Sequence, residues 1–425
     1  MVAPSAVIPA ALLAIGVVLA GSLYVLGYHD QYHALLQAWG ALPFRTPFLD
    51  MHAVTSAIEC HRLGFNVYAD NPCDVFRRVH GYSPVWLSLS VFPITTAWDA
   101  ALGSAAVLLF LCALPFLPPG RGLWQIVVIT LGTISSVVAY ALERANADLL
   151  MFMLAMVAVA LNRRGRDARA VGYAIVLLAG MLKFYPAVLL VLAVRERLSI
   201  AVAVVLVACG VISVWFFLDS DAIMRGIGNI PTTNPFDDNV FAASDLPFGL
   251  AQILGLSPRA GMVMLITLIL GMLIGAGVLA RWDHARAGLQ SLTEVEAMFL
   301  LAGCVMLVGC FLAAQNSAYR AIYFLFVLPG LTRFAATRRP AGIYPVTLGL
   351  VLVIMWNSAI LPMVYAVLDW FGVSTLSNGA AHTVIWLLRE LAWWCVATSL
   401  SALMIRLIRQ SRTVRDAGRM IGVTA

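Results

Sequence analysis

The chain has 425 residues, of which 62% are apolar and 11% charged, and a formal net charge of +6. A soluble fold needs a polar surface that this composition does not supply. A soluble enzyme, a disordered chain and a disulfide scaffold are therefore excluded, and a multi-span membrane protein remains. The basic groups fall in short clusters between apolar runs, where topology signals sit, so they are not a nucleic-acid footprint.

In chain order, the first apolar run covers 7–27. It has no basic leader and exceeds a usual signal-peptide core, so it reads as a first transmembrane helix. Further runs cover 98–117, 123–142, 147–161, 170–194, 199–218, 261–280, 296–314, 320–336, 342–368 and 383–405. Most match the roughly 17–25 residues that a helix needs to cross a bilayer. Open strands and irregular backbone are not tolerated in lipid, so an all-α polytopic fold is predicted.

Arginines set the expected orientation. Arg121, the cluster Arg163, Arg164, Arg166 and Arg169, and the pair Arg195 and Arg197 mark cytoplasmic connections. So do Arg281 with Arg286, Arg333 with Arg338 and Arg339, and the tail from Arg406 to Arg419. The run 170–194 has basic groups at both ends, which a single crossing does not satisfy. Its middle carries Lys183 and Pro186, so it is expected to form a hairpin of two short helices with an outward tip. About twelve spans follow, with both termini cytoplasmic. Residues 1–410 read as one membrane domain and 411–425 as a cytoplasmic tail. Loops 28–97 and 219–260 then face outward, and most carboxylates lie in them or, like Asp99, beside them. That face has no nucleotide-sugar supply, so a donor there must arrive on a lipid.

The first outer loop holds the most informative residues. Met51, Val54, Ile58 and Leu63 give an approximate helical stripe, and Gly64 would end the helix. Such a helix is expected to be amphipathic and to lie in the interface plane. Asp50 stands at its N-terminal edge, where a helix cap is the first reading of a carboxylate. Tyr82-Ser-Pro and Pro93 frame a segment read as an interfacial anchor with Trp86. Cys60 and Cys73 could staple this loop in an oxidising compartment, although two free thiols are preferred. Arg144, in Glu143-Arg-Ala-Asn-Ala-Asp148, either pairs with Glu143 or Asp148 or grips an anion. Lys183, the only lysine, either snorkels or serves a buried function. Arg320, in Gln315-Asn-Ser-Ala-Tyr-Arg320, binds an anion or marks an interface. Arg389 and Glu390 inside the last span are expected to neutralise each other. His29 and His33 lack a third partner at a metal-site spacing, so no metal site is read there.

Taken together, these residues resemble the GT-C superfamily of membrane glycosyltransferases, and within it glycosyltransferase family 87, the polyprenol-phosphate-mannose-dependent mannosyltransferases. The resemblance rests on Asp50, Gly64 and Tyr68 after the first span and on Tyr82-Ser83-Pro84. It continues with Asn146 at the start of a span and Leu182-Lys183-Phe-Tyr-Pro186 followed by Arg195 and Arg197. It covers roughly 1–335. The chain departs from the pattern in carrying Arg144-Ala145 where Gly-Gln is frequent, and Tyr319-Arg320 where a late His is frequent. The resemblance implies transfer of a hexose, mannose by analogy, from a polyprenyl-phosphate sugar to a glycolipid or glycan acceptor, with inversion. Asp50 is then the expected base. Lys183, Arg144 and Arg320 are expected on the donor phosphate, and Asn146, Tyr68, Tyr82 and Asn316 elsewhere in the substrate site. No cofactor is expected, because the lipid-linked sugar is a substrate; a divalent metal stays open. The expected location is the inner membrane, with the site on its extracytoplasmic face. A transporter or flippase for a lipid-linked sugar is the alternative, since a broken central hairpin suits one.

Overall fold

The computed structural model describes residues 4–44, 46–282, 288–336, 342–373 and 379–420. Arg286, Arg338, Arg339 and the tail residues 421–425 lie outside these. The described residues are all-α apart from one two-stranded ladder, in which Val240–Phe241 pairs antiparallel with Asn316–Ser317. Six helices are long and apolar enough to cross a membrane, or up to eight if each of two bent pairs is one span. Every apolar run found in the sequence is helical in the structure. Much of this surface has no protein cover. In the window of helix Leu198–Gly228 that passes as a span, only 11% of residues are buried. Lipid is the solvent that such a helix tolerates.

Several runs are interrupted. Leu123–Thr133 and Ser136–Arg144 meet at 40°, and Ile343–Met355 and Asn357–Trp370 at 80°. The second bend, at Trp356, falls at the polar step Asn357-Ser358 inside the run 342–368. The run 170–194 divides as expected: helix Arg166–Lys183 stops at Phe184, and a 3-10 helix, Tyr185–Arg195, packs back against it. Pro186 lacks an N–H and begins the second piece, which is where proline is tolerated. The long connection expected at 219–260 is shorter than the sequence implied. Helix Leu198–Gly228 runs past 219 through a kink at Asp219.

The chain forms two compact units, each discontinuous in sequence. In the unit of residues 1–43, 114–140 and 233–409, helix Glu294–Ala313 is the buried axis, packed by Phe324–Ala335 and Ala380–Arg409. Trp393 stacks on Phe241 with ring centres 4.1 Å apart, and Phe311 and Phe324 complete that cluster. Arg389 pairs with Glu390 at 2.9 Å, as expected, and also with Asp238 at 3.1 Å. At another place, Glu296 closes a capping box with Thr293 and binds Arg121 and Arg333.

The unit of residues 44–113, 141–232 and 410–425 is built on helix Ala147–Asn162. That helix packs against Arg166–Lys183, Asp99–Ala113 and Tyr185–Arg195. Helix Leu49–Arg62 ends as its sequence requires, with Gly64 at φ +89° just beyond. Its apolar stripe does not act as one surface. Val54 and Ile58 are buried but Leu63 is exposed, while the polar Asp50, His52, Thr55 and Ser56 are buried instead. Trp86 likewise is no free anchor: its indole N–H donates to the Leu182 carbonyl at 3.0 Å. Helix Arg412–Met420 of the tail docks here through Thr413, whose hydroxyl donates to the Glu196 carbonyl at 2.8 Å.

Cys60 and Cys73 form a disulfide, which corrects the preference for free thiols. Hydropathy and spacing do not show that the loop folds back and places the two residues 5.8 Å apart between Cα atoms. The other five cysteines are free. Alkylation of the denatured, unreduced protein should therefore label five cysteines by mass spectrometry, and reduction should add two. Seven labels without reduction would show that the bridge does not form.

Candidate functional site

The second of these units gathers charged groups from four separate stretches of chain. Helix Leu49–Arg62 begins with Asp50 in its first turn, after Phe48 in a left-handed conformation. No side chain caps this helix. The Asp50 carboxylate, only 5% exposed, turns instead to side chains. Arg144 Nη2 lies 2.8 Å from Oδ1, and Asn146 Nδ2 donates to Oδ2 at 2.5 Å. Arg78 Nη1 stands 3.9 Å from Oδ1.

Asn146 ties this pair to a second one. Its Oδ1 accepts the backbone N–H of Asp148, which caps helix Ala147–Asn162, and also a proton of Lys183 Nζ at 2.8 Å. Lys183 Nζ sits 2.8 Å from Asp148 Oδ1, and the Tyr185 hydroxyl donates to the same oxygen. The Tyr82 ring lies beneath the ammonium, 5.5 Å from centroid to Nζ. Lys183 is 6% exposed, so its charge does not snorkel to a surface. The Arg144 guanidinium covers the Phe44 ring at 4.5 Å and bonds to Asp50.

Local backbone explains how these side chains converge. Among the described residues, four non-glycine residues have positive φ: Phe48, Arg77, Ala145 and Phe184. Each lies within two positions of a network member. Ala145, at φ 42°, breaks the chain between Arg144 and Asn146, so that both reach Asp50. Phe184, at φ 59°, separates Lys183 from Tyr185, and both reach Asp148. Such conformations cost about 1–3 kcal/mol each and gather at functional sites.

The structure therefore brings together Asp50, Arg144, Asn146, Lys183 and Tyr82 from the sequence-derived set. Tyr68 is near this group, its hydroxyl donating to the Tyr82 carbonyl at 3.4 Å. Burial, and then the charge of Asp219, push the Tyr68 phenol upward in pKa. Arg320 and Asn316 belong to the other unit, where Arg320 donates to the Asn316 side chain. Arg78, Tyr185 and Asp148 are the members that sequence reading did not assign. Asp74 and Arg78 carry a usable signal, an acid and a base four positions apart; the others have none beyond composition.

His80 lies close by, with Tyr68 and Tyr82 against its ring. Burial lowers its pKa to about 4; a hydrogen bond with the Ser83 carbonyl opposes this, and the charge of His61 adds to the lowering.

No family model, curated protein or solved structure matches this chain.

Two outcomes follow from the geometry. A lost helix cap costs about 1 kcal/mol. Removing one member of a buried ion pair costs about 3–5 kcal/mol. Asp50→Ala should therefore lower stability by the larger amount in denaturant or thermal unfolding, and Asp50→Asn by less, because its amide oxygen still accepts from Arg144. A loss near 1 kcal/mol for Asp50→Ala would mean that the Arg144 contact contributes little. His80 gives a pH dependence of known sign. Below its ordinary pKa near 6.5 the unfolded chain binds a proton that the folded His80 refuses, so stability declines from there toward about pH 4. His80→Gln should remove that part of the slope in melting temperature against pH.

Proposed function

We propose that this protein is a membrane glycosyltransferase that uses a polyprenyl-phosphate hexose as donor. The hexose, mannose in the closest resemblance, goes to a hydroxyl of a glycolipid or glycan with inversion. The observation that carries this reading is the buried Asp50 carboxylate, held among Arg78, Arg144 and Lys183 where strained backbone is concentrated. A leaving phosphate monoester is already anionic, so it needs cations rather than an acid. The acceptor hydroxyl needs a base.

In this mechanism the acceptor oxygen attacks the anomeric carbon and the carbon–oxygen bond to phosphate breaks. That electron pair stays on the phosphate oxygen. Asp50 takes the acceptor proton. Arg144 and Lys183 share the growing phosphate charge, and their attraction to Asp50 and Asp148 weakens as they do so. Asn146 keeps the two pairs in register. Tyr68 and Tyr82 offer ring faces and a hydroxyl to the sugar. The topology that goes with this reading has about twelve crossings, both termini in the cytoplasm and the site on the outer face of the inner membrane. Beyond the eight candidate spans, the shorter helices Ala147–Asn162, Arg166–Lys183, Tyr185–Arg195 and Phe324–Ala335 would supply the additional crossings.

Purified protein in liposomes with radiolabelled polyprenyl-phosphate hexose tests the proposal. Wild type should transfer label to acceptor. Asp50→Asn should lose about 100-fold or more in rate, measured below its own melting temperature. Lys183→Ala should weaken donor use and Lys183→Arg should recover part of it, because the two cations differ in shape. Label crossing the bilayer without transfer would favour the flippase alternative. Near-normal transfer by Asp50→Asn would remove Asp50 as the base.

A further inference from the structure

Arg78 differs from the other two cations of the network in its exposure. Its side chain is 31% exposed, against 13% for Arg144 and 6% for Lys183. One edge of its guanidinium is already occupied. Nε and Nη2 bond to the Asp74 carboxylate at 2.7–3.2 Å, and Nη2 also donates to the Leu49 carbonyl at 2.9 Å. The Nη1 side stands 3.9 Å from Asp50, outside hydrogen-bond range. An arginine fixed along one edge, with the other turned to a carboxylate and reached by solvent, is organised to receive an anion in advance.

The mount beneath Arg78 is equally specific. Residues 71–78 form a strap along one face of helix Leu49–Arg62. Ser56 Oγ accepts from Asn71 Nδ2, and Cys60 is bonded to Cys73. His52 Nε2 accepts from the Val75 N–H, and the Leu49 carbonyl accepts from Arg78. Leu49, His52, Ser56 and Cys60 are spaced three or four apart, so they share one side of the helix. The Asp74 side chain is fully buried. It receives the N–H groups of Phe76 and Arg78 as well as the guanidinium. Burial raises its pKa, but Arg78 and these two N–H groups outweigh burial and lower it, so Asp74 stays a carboxylate. Arg77, at φ 52°, turns the chain so that Arg78 points back to the helix start.

We propose that Arg78 binds the phosphate of a lipid phosphate ester at this site, and that the Cys60–Cys73 disulfide is the covalent pin that holds Arg78 beside Asp50. The nature of the anion rests on the donor reading above; the placement of Arg78 rests on the strap alone. Opening the bridge frees the Cys73 end of the strap and restores motion to Asp74 and Arg78, so phosphate affinity depends on the oxidised protein.

Binding of geranylgeranyl phosphate to the full-length protein in nanodiscs tests this, with geranylgeraniol and inorganic phosphate as comparison probes. Wild type should bind the lipid phosphate at least tenfold more tightly than either. Arg78→Ala should lose about tenfold, and Arg78→Lys less. Reducing the folded wild type with a phosphine should produce a similar loss without any substitution. Cys73→Ser combined with Arg78→Ala should bind no worse than Arg78→Ala alone, because the pin acts through that one guanidinium. Full affinity in Arg78→Ala would remove Arg78 as a ligand. Full affinity after reduction, or additive losses in the double variant, would remove the bridge as its pin. Equal binding of the alcohol and the phosphate by wild type, or no binding of either, would overturn the donor reading together with this one. Free phosphate binding as tightly as the lipid ester would show that the site takes a soluble anion.

Discussion

A carboxylate shut away from water is the constraint on which the second unit depends. Moving an ion into a low-dielectric interior costs several kcal/mol unless partners replace its hydration. Asp50 meets this with Arg144 and Asn146, and Asp148 with Lys183 and Tyr185. Those partners come from stretches far apart in sequence. The helices that carry them must close on one another for any of the charges to be tolerated. The same closure leaves Asn146 bonded to both pairs, so the two are one network rather than neighbours.

Backbone conformation follows from that demand. A continuous helix through 144–146 would send Arg144 and Asn146 in different directions. The break at Ala145 turns them together and frees Asn146 to cap the next helix. Phe184 does the same for Lys183 and Tyr185. Strain of this size persists only where surrounding contacts exceed it, and here those contacts are charge-assisted hydrogen bonds in a buried setting. Helix Leu49–Arg62 serves the same end from the other side. It buries polar residues, and the strap of 71–78 covers them and brings Arg78 to the start of the helix.

The unit of residues 1–43, 114–140 and 233–409 meets the same physics differently. There Arg389 satisfies Glu390 and Asp238, and the Phe241–Asn316 ladder sits beside a stack of Trp393 on Phe241. Arg320 and Asn316 hold each other, and Asn316 also donates to the Cys310 carbonyl. Charge pairing and aromatic packing here are made by this unit's own residues.

Hydropathy alone determined that the chain is helical and membrane-associated, because long apolar runs have no other stable form in lipid. It also located the break before Pro186 and the stop at Gly64, since both are backbone properties of single residue types. Arg144 and Lys183 were legible as candidates, because ionisable groups beside apolar runs need a reason to be there; Asp50 and Asn146 became candidates through the family resemblance. Their partnership was not legible. Arg144 paired with Asp50 from a remote stretch of chain, Arg78 entered through a strap, and Cys60 met Cys73 only after the loop folded back. Each of these depends on distances between residues remote in the chain, and periodicity and composition carry no term for such distances. Only the tertiary structure decides them, because the cost of a buried charge is settled by whichever groups the folded chain places within about 3 Å of it.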